Sequence, residues 1–221
     1  MSSILDIDLD YFNLIENPEQ RLQELLDWGD CPIAFIVEKH HKVYSRWKDR
    51  VKRGTLTQPS HILHVDEHHD MMDQKRNTNI ANFMYHAMRT WKNCRVHWMV
   101  DTPIDSPAMW LDNDVWKSFS HRFSLGPNRP HGWPKPDIVS ICTSPNFISN
   151  DLLQRLLRSI QKFMTGCTGE AYTGNSVSRR GDRTPFSIRL QEVQARRKQP
   201  EESFADAVNL TIYRKYLTNK D

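Results

Sequence analysis

Carboxylate and imidazole side chains recur in this chain at spacings that hold divalent cations, most densely over residues 61–70, which read HILHVDEHHD. Ile62, Leu63 and Val65 are apolar enough for a buried strand, and the run then passes into Asp66, Glu67, His68, His69 and Asp70. On a strand, side chains alternate between faces, so Asp66, His68 and Asp70 would point the same way. Two carboxylates and an imidazole converging at a strand end make half of a metal site. Such an oxygen-rich set with a minority of imidazole suits Mn²⁺ better than a thiolate-rich zinc site does. Near the N-terminus, ILDIDLDYF repeats the pattern with Asp6, Asp8 and Asp10. Three carboxylates on one strand face repel one another unless cations or hydrogen bonds compensate. A dinuclear centre between the two stretches would supply that compensation.

These residues need strands to carry them and helices to cover the strands. Residues 4–9 alternate apolar and acidic side chains and predict a central strand. Pro18 opens a helix with Leu22, Leu25 and Leu26 on one face and Gly29 as its stop. Residues 32–37, PIAFIV, form a continuous apolar run typical of a strand buried on both faces, and deliver Glu38, Lys39, His40 and His41 to its end. Further strands are expected over 61–65, 95–100 and 136–142, with helices over 43–52, 80–92 and 151–164. Residues 101–136, with Trp110, Trp116 and Trp133, read as an irregular lid or wall of the site. Residues 165–182 hold four glycines and read as a mobile connection to helices over 186–198 and 201–217. Strands alternating with helices predict an α/β fold, a mainly parallel sheet with helices on both faces, whose ligand site lies beyond the strands' carboxyl ends.

Composition narrows the function classes. At 221 residues the chain fits one domain, with 179–221 as a helical basic extension carrying ten Lys/Arg against six Asp/Glu. A formal charge of +3 makes no case for nucleic acid or a membrane surface, and no apolar run reaches membrane-spanning length. Cys31, Cys94, Cys142 and Cys167 lack CxxC spacing and read as reduced thiols, so a soluble cytoplasmic protein is expected.

Four stretches together resemble one family. They are Val37-Glu38-Lys39-His40-His41, the H-x-D-x-H-x-D run from His64 to Asp70, the DIDLDYF run over 6–12, and ICTSP over 141–145. The resemblance is to an arginase-like family of the arginase/deacetylase (ureohydrolase) superfamily, and it covers about residues 3–150. Characterised members include peptide arginases, which act on arginine side chains in ribosomally made precursor peptides. The resemblance implies a three-layer α/β/α fold, two Mn²⁺ ions and a precursor peptide as partner. It implies His40 and Asp70 on one ion, His68 on the other, Asp66 touching both, Asp8 bridging and Asp10 on the second ion. Asp6 then stands behind the pair, although a slip to Asp6/Asp8 as the ligand pair stays open. Asp70 would orient the attacking water and pass a proton to the leaving amine, with His86 or His69 as a proton shuttle.

The chain departs from the arginase pattern in three ways. The D-x-D strand precedes the D-x-H-x-D motif, which a circular permutation of strand order would accommodate. The guanidinium-binding glutamate has no evident counterpart; Glu38, Glu67 and Glu170 are candidates, and Glu38 is the expected substrate-binding residue. The chain is also shorter than arginases of free arginine, which implies an open site that accepts arginine within a peptide. Two rivals are a deacetylase-like amidohydrolase and a non-catalytic module whose carboxylates hold a structural metal.

Overall fold

The structure, a computed structural model, describes residues 1–72, 74–101 and 111–164. The glycine-rich stretch 165–182, the expected helices over 186–198 and 201–217, the basic extension 179–221, Trp110 and Glu170 lie outside the described residues.

The acidic–apolar alternation of the N-terminus becomes β1, Ser2–Asp8, with every residue buried. β3 (Pro59–Val65) and β6 (Ile138–Cys142) flank it, both parallel to it. β2 (Ile33–Val37) lies outside β6, while β4 (Arg95–Met99) and β5 (Phe123–Gly126) extend the other side. The order is β2-β6-β1-β3-β4-β5, parallel at every pairing, so the strand order is permuted relative to the chain. The expected α/β architecture is therefore present. The apolar run read as doubly buried is instead an edge strand, with Phe35 and Ile36 only half-buried.

Alternation along the strands sorts the two helical layers. Leu5 and Ile7 pack with Leu22, Leu25 and Leu26 of α1 (Pro18–Gly29) and with Leu153, Leu156 and Ile160 of α5 (Asn150–Met164). Ile4, Ile62, Val96 and Ile138 face the other way. They pack with Trp47 of α2 (His41–Lys52), Phe83 and Met88 of α3 (Phe83–Thr90), and Val115 and Phe119 of α4 (Asn113–Phe119). Asp6 and Asp8 share the parity of Ile4, so they project toward the second layer at the strand's C-terminal half. A leucine or tryptophan buried in these layers stabilises the fold by roughly 1.5–3 kcal/mol, and that apolar frame holds the polar strand ends in place.

Within segment 101–136 the described residues 111–136 are more regular than the composition predicts. They contain α4, capped by Asp112, whose side chain accepts from the Asp114 backbone N–H, and they contain the four-residue β5. Trp116 and Trp133 are partly buried against the two core layers, not set along the cavity described below. α3 is shorter than expected. Asn82 Oδ1 accepts from the Asn79 N–H and Asn79 Oδ1 from the Ala81 N–H, which folds residues 79–82 into a turn before the helix. Among the described residues no helix is long and apolar enough to cross a membrane.

Candidate metal centre

The centre forms where β1, β2, β3 and β6 end. Its foundation is a polar row in register across the three central strands: His64 of β3 and Ser140 of β6 both pair with Asp6 of β1, and all three are fully buried. Asp6 Oδ1 accepts from Ser140 Oγ at 2.7 Å. Its Oδ2 lies 3.1 Å from His64 Nδ1 and 2.9 Å from His40 Nε2. Burial works against ionisation of Asp6, but the two imidazoles overcome it and hold the carboxyl below its ordinary value. Against an ionised carboxylate both ring nitrogens act as donors. That fixes the His40 ring and leaves its Nδ1 for the centre, the carboxylate–histidine arrangement that orients metal ligands.

His40 caps α2, and its Nδ1 meets three carboxylates. Asp8 Oδ2 and Asp66 Oδ2 each lie at 2.9 Å and Asp70 Oδ2 at 3.2 Å. One ring N–H cannot serve three acceptors. Neither His40 Nδ1 nor Asp66 Oδ2, both buried, has an aligned hydrogen-bond partner. The other oxygen of Asp66 belongs to a second group: Oδ1 lies 3.5 Å from His68 Nδ1, which is also 3.5 Å from Asp10 Oδ2. Asp66 thus places one oxygen in each of two adjoining groups.

The backbone explains how these side chains converge. β3 stops at Val65, and residues 66–70 follow as bends, so strand alternation does not align Asp66, His68 and Asp70 as the spacing suggested. Local bonds do so instead. Trp98 Nε1 donates to the Asp66 carbonyl at 2.8 Å, and the His68 N–H donates to Asp66 Oδ1 at 2.8 Å. Asp70 takes a left-handed conformation, φ 50°, and its carbonyl accepts from the Met84 and Tyr85 N–H groups at the start of α3. Asp10 lies past the strand in a 3-10 turn, Leu9–Leu14, that Asp8 caps. Ser144, also left-handed at φ 34°, donates its hydroxyl to Asp8 Oδ2.

Burial and crowding shift the ionisation of these groups. Burial, then repulsion from Asp66, pushes the Asp70 carboxyl up to about 7. Burial, then Asp8 and Asp66, carries Asp10 well above the usual carboxylate range. Burial opposes charge on His40 and His68, yet Asp6 and Asp8 around the first and Asp10 and Asp66 around the second hold both well above an ordinary histidine. A buried set of carboxylates and imidazoles shifted in this way could hold cations. Among the described residues, four buried or nearly buried triplets bring their ligand atoms within 4.8 Å of one another: Asp6/His40/His64, Asp8/His40/Cys142, Asp10/Asp66/His68 and His40/Asp66/Asp70. The residues present fit divalent cations.

All six residues expected to bind metal, Asp8, Asp10, His40, Asp66, His68 and Asp70, line one cavity of about 460 Å³. Asp6 does not line it but stands behind His40, so Asp8 and Asp10 are the pair that face the cavity. Glu38 lies at its exposed rim. His86 is not brought to the cluster. The helical phase of α3 turns Phe83 and Ala87 inward and leaves His86 on a flank, its Nε2 3.0 Å from the Lys75 carbonyl. His69 is buried against Trp98 and accepts from the Met71 N–H, also away from the cavity lining. Glu67 is half-buried and likewise not a lining residue. Sequence reasoning assigned no role to His64, Ser140, Ser144 or Cys142. His64 opens the H-x-D-x-H-x-D run and shares the parity of Asp66, which is the one signal that pointed to it. No family model, curated protein or solved structure matches the chain.

Proposed function

We propose that the protein is a hydrolase with two Mn²⁺ ions that converts arginine side chains of a precursor peptide into ornithine, releasing urea. The observation that carries this reading is Asp66, whose two oxygens serve two adjoining ligand groups at the floor of an open, acidic cavity. His40, Asp8, Asp66 and Asp70 would hold one ion, and Asp10, Asp66 and His68 the other, with Asp8 beside both. Two bound ions would make a water nucleophilic near neutral pH and offset the charge that develops on the guanidinium carbon.

The remaining steps belong to the chain's own groups. The acidic floor would attract a guanidinium, and Glu38 at the rim would meet that group as it enters the cavity. Met72, Ile80, Ala81 and Phe147 give the walls apolar surface for the aliphatic arm. As the water oxygen joins the guanidinium carbon, the bond to the side-chain nitrogen breaks and that nitrogen must gain a proton. The proton given up by the attacking water would pass by way of the Asp70 carboxylate to that nitrogen, so that neutral urea and the side-chain amine leave. With His86 on the far flank, Asp70 carries this role without the histidine shuttle.

An open cavity favours arginine in a peptide over free arginine. Incubation of the Mn²⁺-loaded protein with arginine-containing peptides is expected to release urea and lower peptide mass by about 42 Da per converted residue. Free arginine is expected to turn over poorly. Acetate release from acyl-lysine peptides, without urea, would replace this reading with the deacetylase-like one. Metal binding with neither product would leave a metal-stabilised binding module.

A further inference from the structure

Cys142 ends β6 directly opposite Asp8 in the β1–β6 register and on the same face of the sheet. It is fully buried, and its Sγ, an Asp8 carboxylate oxygen and a His40 ring nitrogen lie within 4.8 Å of one another. His40 Nδ1, on a side chain only 3% exposed, has no aligned hydrogen-bond partner. A thiol beside a buried imidazole nitrogen that makes no aligned hydrogen bond, and beside a carboxylate, is a mixed S/N/O donor set, which the outer group of Asp10, Asp66 and His68 is not.

We propose that Cys142 Sγ is a ligand of the inner ion, held with His40 and Asp8, so that this position takes a softer divalent cation such as Zn²⁺, Co²⁺ or Fe²⁺. The outer, sulfur-free group keeps the preference for Mn²⁺. The inference rests on the reading of the cluster as a two-ion centre and revises the metal of its inner position, which accepts Mn²⁺ when that ion alone is supplied and favours the softer ion when both are present. On binding, the S–H proton leaves to solvent and the thiolate sulfur bonds the cation, so charge balances with one proton released. The competing role for Cys142 is packing alone, with its thiol 3.2 Å from the Ser144 hydroxyl, which in turn donates to Asp8.

Cobalt separates these roles without relying on turnover. The metal-stripped full chain is titrated with Co²⁺ while bound cobalt is counted by equilibrium dialysis and near-ultraviolet absorption is recorded. A sulfur-to-cobalt charge-transfer band that grows with the bound ion is expected, and Cys142→Ser is expected to lose the band while still binding cobalt. The same substitution should weaken Zn²⁺ relative to Mn²⁺ by at least about tenfold, the scale seen on losing even an outer partner of a metal ligand. A Cys31→Ser/Cys167→Ser variant should keep the band, which preserves the test should Cys142→Ser fail to fold. Cobalt bound by the wild type without the band would overturn the assignment of Cys142 and leave the metal centre standing. No bound cobalt at all would overturn both.

Discussion

Asp66→Ala is expected to leave the protein unable to retain either metal ion. It is the one side chain of the cluster with an oxygen in each group, Oδ2 beside His40 and Asp70, Oδ1 beside His68 and Asp10. Removing it takes a donor from both positions at once. Asp10→Ala should differ, because Asp10 meets His68 and Asp66 but is absent from the groups around His40. That variant is expected to retain the inner ion and lose the outer one. If bound metal supplies several kcal/mol of charge stabilisation, urea release by Asp66→Ala should fall about a thousandfold or more. Metal content by elemental analysis, read beside a urea assay, checks both variants. An Asp66→Ala protein that still held one ion tightly would separate the two groups and remove Asp66 as their link.

The second large effect is a stability loss with rising pH that metal removes. In the ion-free fold Asp70 titrates near 7, against 3.8 for its ordinary value. The unfolded chain therefore gives up this proton first, and stability falls as pH rises between about 4 and 7. His40, His64 and His68 are raised, so their contribution is fully present below 6.5 and is lost as pH climbs through their folded values. Asp6 and Asp66 are depressed, and their contribution is lost only in acid, below this window. Within the cluster the terms active between pH 5 and 8 share one sign; His41, His61 and His97, which burial holds below an ordinary histidine, oppose them more weakly from outside it. The displacement of Asp70 alone is worth at most about 4 kcal/mol by linkage. A melting temperature about 10 °C lower at pH 8 than at pH 5 is the scale to expect for metal-stripped protein of this size. Saturating Mn²⁺ replaces the protons, so the loss should vanish or reverse, because the ion binds only the folded state and binds better as its ligands deprotonate. Thermal melts with and without Mn²⁺ across that range read the effect directly. A metal-free profile that is flat or rises would show that these carboxylates are not crowded as described.

Much of the fold was legible because β1, β3 and β6 are dense apolar runs ending in polar residues, and strand ends in a parallel sheet converge. Spacing, together with the family resemblance, pointed to six acidic and histidine residues that are among those lining the cavity. What spacing could not supply is register. Asp6 is 58 residues from His64 and 134 from Ser140, and only strand pairing puts the three in one buried row. For the same reason His64 passed as part of a motif with no assigned task. Asp66–Asp70 looked like a strand face, whereas the chain turns there under the hold of Trp98 and the start of α3. His86 lies off the cavity lining because helical phase depends on where α3 begins, and the Asn79–Asn82 turn moves that start to Phe83. β5 carries too few apolar residues over four positions to stand out from its polar surroundings.

The central claim is a centre of two metal ions, and the most direct test is a count. Purified full-length protein is stripped of metal, saturated with Mn²⁺, freed of excess ion and submitted to elemental analysis with protein concentration from amino-acid analysis. Two divalent ions per chain are expected, because the donors divide into an inner group around His40 and an outer group around His68, joined by Asp66. One ion per chain, or none, would contradict the account.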